Sequence, residues 1–203
     1  MKPWLIVPAK PLQEAKSRLA GILSTSQRAA LSAHLLERTL RIAATSARFH
    51  RSLVVSRDPA ALALAVRYGA LPLLETGFDL NAALEQACRH ASALGAAAAL
   101  ILPADLPRLR TTDLHALVAA FDENRRVAIA PSSDGGTNAL LLPLPAPFRL
   151  AFGPNSFDVH CRQMTEAGCV PQPVCTATLR FDLDTPHDWQ ELAMAAPISV
   201  ADL

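Results

Sequence analysis

Apolar and polar positions follow two rhythms along the chain, and the rhythms take turns. Trp4-Leu5-Ile6-Val7 is a short apolar run closed by Pro8, which suits a buried strand. Ser24-Thr25-Ser26 then offers N-cap residues for a stretch over 27–47, where Leu31, Leu35 and Ile42 recur at helical spacing against Arg38 and Thr39. Leu53-Val54-Val55 predicts a second strand, and Asp58-Pro59 the cap and first turn of a helix reaching about Tyr68. Residues 71–74 predict a third strand, 81–94 a helix and 98–102 a fourth, wholly apolar strand; Thr111-Thr112-Asp113 starts another helix. Beyond Arg126 the order changes. Residues 127–130, 139–142 and 179–183 read as strands, with turns and one helix, about 156–167, between them.

Strands alternating with helices through the first two-thirds predict an α/β fold with a doubly wound, mostly parallel sheet between helical layers. The later strands predict an antiparallel excursion that makes the sheet mixed. With 203 residues, no internal repeat and no linker, the chain is expected to be one domain over 1–203. Ligands of such sheets sit beyond the carboxyl ends of the strands, so chemistry is sought in the segments that follow them.

Composition narrows the picture by exclusion. The longest apolar run, 96–102, stops at Pro103 and Asp105, far short of a membrane span, although 51% of residues are hydrophobic. The start of the chain, Met1-Lys2-Pro3-Trp4, has no signal-peptide architecture, and a cytoplasmic location is expected. A net charge of +1 gives no reason to expect a nucleic-acid or membrane surface. Cys88, Cys161, Cys169 and Cys175 lack paired spacing and read as reduced thiols.

Four segments could carry chemistry. Pro8-Ala9-Lys10-Pro11 through Ala15-Lys16-Ser17-Arg18-Leu19 brings three cations onto the loop after the first strand, either a polyphosphate clamp or a solvated basic loop; it has no Walker glycine pattern. Leu102-Pro103-Ala104-Asp105-Leu106-Pro107 delivers a carboxylate at a strand end, unless Asp105 only caps a turn. In Phe181-Asp182-Leu183-Asp184-Thr185-Pro186, a strand would present Asp182 and Asp184 on one face, a hard-oxygen pair suited to Mg²⁺. Asp184 could instead cap a helix starting at Pro186. Gly135-Gly136-Thr137-Asn138 and Gly153-Pro154-Asn155-Ser156 offer backbone amides and hydroxyls, the second leading into a helix whose N-terminus favours an anion. His160, one turn on, either faces that anion or is half-buried. No Ser-His-Asp or Cys-His arrangement stands out, and phosphoryl-group chemistry needs none.

In order and spacing these segments resemble the 2-phospho-L-lactate guanylyltransferase family of coenzyme F-420 biosynthesis, which includes phosphoenolpyruvate and 3-phospho-D-glycerate guanylyltransferases. The likeness runs from Ile6-Val7-Pro8-Ala9-Lys10 through Leu80-Asn81, Ala104-Asp105-Leu106-Pro107, Gly136-Thr137-Asn138-Ala139-Leu140 and Phe152-Gly153-Pro154-Asn155-Ser156-Phe157 to Phe181-Asp182-Leu183-Asp184-Thr185-Pro186. It implies a Rossmann-like nucleotidyltransferase fold of the nucleotide-diphospho-sugar transferase type. It implies Asp105, Asp182 and Asp184 as ligands of Mg²⁺, Lys10 and Lys16 as phosphate contacts, and Thr137, Gly153 and Ser156 as the acceptor pocket. Arg18 and Asn81 lie in matching motifs; we expect Arg18 on the triphosphate and Asn81 on the base or ribose. Ser133-Asp134, before the glycine pair, has no assignment.

The expected reaction transfers GMP from GTP to the phosphate of a small phosphorylated carboxylic acid (2-phospho-L-lactate, phosphoenolpyruvate or 3-phospho-D-glycerate) and releases pyrophosphate. A homodimer is expected from the resemblance. Two other functions stay open on sequence grounds. One is a nucleotidyltransferase for a sugar phosphate or pterin cofactor, which would usually carry a glycine-rich loop where Pro8-Ala9-Lys10-Pro11 stands. The other is a non-catalytic nucleotide or phosphoacid binder, for which three carboxylates beside a triphosphate would be unusual.

Overall fold

The computed structural model describes residues 2–77, 79–122 and 125–195, so residue 1 and the last eight positions of the expected 1–203 unit lie outside the described residues. β1 (Trp4–Pro8) forms on the first apolar run, and all four of its apolar side chains are buried. α1 (Thr25–Ser46) starts at a capping box: the Ser24 hydroxyl accepts from the Gln27 amide and the Gln27 side chain accepts from the Ser24 amide. β2 (Ser52–Ser56) leads to α2 (Pro59–Arg67), whose N-cap Asp58 accepts from Ala60 N while Pro59 sits where no amide is needed. β3 (Leu71–Leu74), α3 (Leu80–Ala93), β4 (Ala98–Ile101) and α4 (Thr111–Ala120) continue the alternation. Then come β5 (Arg126–Pro131), β6 (Thr137–Pro143), α5 (Ser156–Glu166), β7 (Val170–Pro173), α6 (Ala177–Arg180) and α7 (Pro186–Ala195).

The described strands form one sheet in the order β3-β2-β1-β4-β6-β5-β7. β6 runs antiparallel to both its neighbours, and the other pairings are parallel. The mixed α/β sheet expected from the sequence is thus present, with β6 as the excursion. Each face carries helices. Leu5 and Val7 join residues of α1, α2 and α4 in one core, and Trp4 and Ile6 join α3 and α5 on the other side. A third cluster of Leu19, Leu23, Leu31, Leu35, Leu183 and Leu192 ties the loop after β1 to α1 and α7. No described helix is long and apolar enough to cross a membrane.

One sequence expectation needs correction, and one alternative left open by the sequence is closed. Residues 179–183 are not a strand: 177–180 form α6, and Phe181 to Asp184 follow as irregular chain. Local hydrogen bonding decides this. Thr176 caps Leu179 N, and the buried Asp113 carboxylate accepts from the Thr176 and Thr178 hydroxyls, which bends the chain into a helical turn. The edge strand of the sheet is instead β7, whose proline-rich Val170–Pro173 sequence escaped the apolar pattern. Secondly, Asp184 does not cap α7. Thr185 does, its hydroxyl accepting from Asp188 N while Asp188 Oδ2 accepts from the amides of Thr185 and Asp184.

β6 holds one irregularity with consequences for the site. Ala130 pairs with Ala139 but Pro131 pairs with Thr137, so Asn138 is an extra residue, a β-bulge. Simple alternation would group Thr137 with Ala139 and Leu141, on the α1 and α4 side. Past the bulge the faces exchange. Thr137 meets α5, and Asn138 turns toward α6.

Candidate active site

The strand order reverses at β1, between β2 and β4, so the crevice beyond their carboxyl ends is where this topology gathers ligands. The loop after β1 enters it under several constraints. Asp58 fixes its start, because Oδ2 accepts from Leu12 N at 2.7 Å while Oδ1 caps α2. Leu19, with no exposure, anchors its end in the third leucine cluster. Between them Lys16 adopts a left-handed backbone (φ 53°), and its ammonium turns inward. Lys16 Nζ lies 3.2 Å from Asp105 Oδ2 and 2.9 Å from Asp184 Oδ1, with the lysine side chain only 8% exposed. Burial pulls its pKa down, but the charges of Asp105 and Asp184 outweigh that and hold it above the ordinary lysine value. Arg18 stays largely in solvent, 4.0 Å from Asp184, and Lys10 is exposed on the same loop.

The two carboxylate segments are fastened to one another. Leu183 N donates to Asp105 O at 3.0 Å, and the buried Leu183 side chain turns away from its acidic neighbours into the core. Arg108 stacks 3.8 Å over the Phe181 ring and pairs with Glu191 of α7 at 2.7 Å. From the other side Arg38 donates to the carbonyls of Leu106 and Leu109. Asp182 Oδ1 accepts from Asn138 Nδ2 at 3.3 Å. Burial raises the Asp182 carboxyl above its usual range; the Asn138 bond opposes the rise, and Asp105 and Asp184 add to it.

The donor chemistry suits magnesium, but the carboxylates do not form a ready cage. Three hard carboxylates lie within electrostatic reach of each other, yet no group of three metal-binding side chains among the described residues is close enough to hold an ion as it stands. The Lys16 ammonium lies between Asp105 and Asp184 and neutralises them in this state. Mg²⁺ usually takes one or two protein carboxylates and fills its octahedron with water and substrate phosphate, so a preformed cage is not required.

Across the bulge lies the second half of the site. Thr137, Ser156 and His160 are 6%, 1% and 0% exposed. His160 therefore does not face an anion; Phe152 packs edge-on against it at 5.0 Å, and burial lowers its pKa to about 4. The N-terminus of α5 is also less open than expected, because Ser156 N bonds to Gly153 O and Phe157 N to Gly135 O. What α5 brings here is the Ser156 hydroxyl. Gly153 has φ 146°, a conformation few L side chains adopt, and a Cβ there would meet no protein atom. Asn81, expected on the nucleotide, spends both ends of its amide on Phe152: Nδ2 donates to Phe152 O at 3.0 Å and Oδ1 accepts from Phe152 N at 2.7 Å. It fixes the chain next to Gly153.

Sequence reasoning missed Asn138 as a site residue; a buried asparagine beside a glycine pair was the available signal. The unassigned Asp134 now has a task. It accepts from Ser132 Oγ and, at 3.2 Å, from Gly136 N, and chiefly the serine bond lowers its pKa. This turn leaves no room for a side chain at Gly136, where a Cβ would lie 2.7 Å from Ser132 Oγ. Gly136→Ala is expected to destabilise the protein by about 1–3 kcal/mol in urea unfolding, because the Ser132–Asp134 bond must give way.

A family model described as "Guanylyl transferase CofC like" matches residues 3–197. A phosphoenolpyruvate guanylyltransferase of Rubrobacter xylanophilus is 42% identical over 193 residues, covering 95% of this chain and 94% of the relative. A 3-phospho-D-glycerate guanylyltransferase of Colwellia psychrerythraea is 32% identical over 200 residues, 98% of this chain and 95% of that one. Among solved structures, a 4-diphosphocytidyl-2C-methyl-D-erythritol synthase superposes with a TM-score of 0.67 at 14% identity, over 95% of this chain and 97% of its own. A nucleotidyl transferase from Methanothermobacter also gives 0.67, at 12% identity, over 96% and 97%. At such identities these structures speak for the fold alone.

Proposed function

The chain belongs to the family of CofC-like guanylyl transferases, and from that premise we propose that it transfers GMP from GTP to the phosphate of a small phosphorylated carboxylic acid, releasing pyrophosphate. The observation that carries this reading is the meeting of Lys16, Asp105 and Asp184 at the switch point of the sheet. Segments from three distant parts of the chain bring a buried cation and carboxylates together there, a charge pattern suited to joining two phosphate groups.

Lys10, Lys16 and Arg18 bind the triphosphate and draw charge from the leaving pyrophosphate. Mg²⁺ would be held by one or two of Asp105, Asp182 and Asp184, with water and substrate phosphate completing its octahedron, and would supply the charge neutralisation that lets two phosphates approach. Thr137, Gly153 and Ser156 receive the acceptor acid on the other face of the bulge and hold its phosphate in line with the α-phosphorus of GTP. No group in the site needs to form a covalent intermediate, because orientation and charge account for the rate. The product is an anhydride of GMP with the phosphoacid, of the kind that coenzyme F-420 biosynthesis consumes.

The name of the Rubrobacter relative makes phosphoenolpyruvate the first acceptor to test, with 3-phospho-D-glycerate and 2-phospho-L-lactate beside it. Pyrophosphate release from GTP should depend on one of these acids, and mass spectrometry should find its GMP adduct. An alkyl phosphate without a carboxylate should react at least about tenfold less well, since buried donors would go unmet. GTP-dependent release that ignores all three acids would refute the reading.

A further inference from the structure

The chain of hydrogen bonds through Ala151, His160, Thr137 and Ser156 has a fixed polarity, and its proton count leaves one donor over. The Ala151 amide can only donate, and it does so to His160 Nε2 at 3.0 Å. That nitrogen must present its lone pair, so the ring proton is on Nδ1. Nδ1 lies 3.0 Å from Thr137 Oγ1 and donates to it. Ser156 Oγ donates to the same oxygen, also at 3.0 Å. A hydroxyl oxygen has two lone pairs, and both of those on Thr137 are now taken. Its own proton has no acceptor among the described residues, although the residue is only 6% exposed.

The ring cannot relieve this by changing state. A second ring proton would oppose the Ala151 amide, and burial against Phe148 and Phe152 keeps the imidazole neutral. A buried donor with no internal partner is costly unless something else accepts from it. The bulge at Asn138 has turned this hydroxyl toward α5, where the His160 ring and the Ser156 hydroxyl meet it and neither is left to accept from it.

We propose that His160 is a positioning residue of the acceptor subsite: held as the Nδ1–H imidazole, it commits the Thr137 hydroxyl to donate outward, so the subsite takes a ligand oxygen that can only accept, such as that of a carboxylate or phosphate. This rests on the acceptor reading given under Proposed function. His160 touches no substrate atom in this arrangement. It acts by removing the freedom of Thr137 to turn its proton inward, which preorganises the donor before the acid arrives.

Nitrogen NMR of the full chain labelled at histidine reads the tautomer directly. The expected result is a neutral His160 with its proton on Nδ1, whose resonance shifts on titration with phosphoenolpyruvate and stays in place with GTP alone. An Nε2–H tautomer, or a shift with GTP only, would overturn the proposal. Kinetics give a second test. His160→Leu should raise KM for phosphoenolpyruvate about ten- to a hundredfold while KM for GTP changes less than about twofold. His160→Asn, which can place an amide donor where Nδ1 stands, should recover most of the loss. In a Thr137→Val background His160→Leu should add little, because the histidine works through that hydroxyl. Equal rises for both substrates, or full additivity with Thr137→Val, would count decisively against it. If the wild type fails to join GTP to any of the acids, the functional reading falls separately. The titration still decides: a His160 resonance unmoved by all three acids sinks the proposal too.

Discussion

Asp182→Asn is expected to lower kcat/KM by at least about a hundredfold and, in the same protein, to raise Tm at neutral pH. The two effects have one cause. Asp182 is half-buried with Asp105 and Asp184 nearby, and burial first, then those charges, keep its carboxyl above the ordinary range. Its ionised form is therefore less favourable in the folded chain than in the unfolded one. Below the usual carboxylate range both states are protonated and there is no penalty; the penalty grows as pH rises and is complete above the folded pKa. Asparagine carries no charge at any pH. Its Oδ1 can still accept from Asn138, as Asp182 Oδ1 does now, but its amide group replaces the oxygen left for a cation. Thermal unfolding of both proteins across the acid-to-neutral range tests the stability half: the gain in Tm should be present at neutral pH and fade in acid. A variant with unchanged turnover, or one less stable at neutral pH, would contradict the account of Asp182.

Lys16→Met should be the most damaging substitution in the basic loop, losing about a hundredfold or more in turnover. Methionine keeps much of the volume of the buried stem but leaves Asp105 and Asp184 facing each other without their common cation. Stability should fall too, by less than the roughly 3–5 kcal/mol seen when a fully buried pair is broken. The carboxylates, 31% and 42% exposed, retain water that screens them. Added Mg²⁺ distinguishes the two roles of the lysine. It should restore stability in urea by neutralising the acidic pair, and it should not restore turnover, because the triphosphate still lacks its buried ammonium. Lys10→Ala, in the same loop but exposed, should cost less on both counts. Equal behaviour of the two variants would make the loop an undifferentiated basic surface.

The sequence announced the fold through apolar runs that end in prolines or caps, and these survive almost residue for residue in β1, β3 and α4. Lys10, Lys16, Arg18 and Asp105 could be picked out because they follow strands, where this topology puts ligands; Asp182 and Asp184 follow α6 and stood out only by their spacing. Three features were hidden, each for a physical reason. The bulge at Asn138 depends on how two strands pair, and period-two alternation alone sets Thr137 on the wrong side of the sheet. The turn at 177–180 depends on Asp113, more than sixty residues away, accepting from two threonines. The role of His160 depends on which of its nitrogens meets a backbone amide, and only coordinates can supply that. At Asn81 the side-chain amide bonds to the backbone of Phe152, seventy-one residues on, a partner that its motif does not announce.

The bulge also divides the labour of the site in a way that bears on how such enzymes diversify. Asn138 looks to Asp182 and the half proposed to handle charge, and Thr137 looks to α5 and the half proposed to meet the acid. Because the two halves lie on opposite faces of one strand, substitutions along α5 or around Gly153 can reshape what the acceptor encounters while the carboxylates and lysine stay untouched. A lineage can therefore change its acid without rebuilding its chemistry, and relatives named for phosphoenolpyruvate and for 3-phospho-D-glycerate stand within one alignable family.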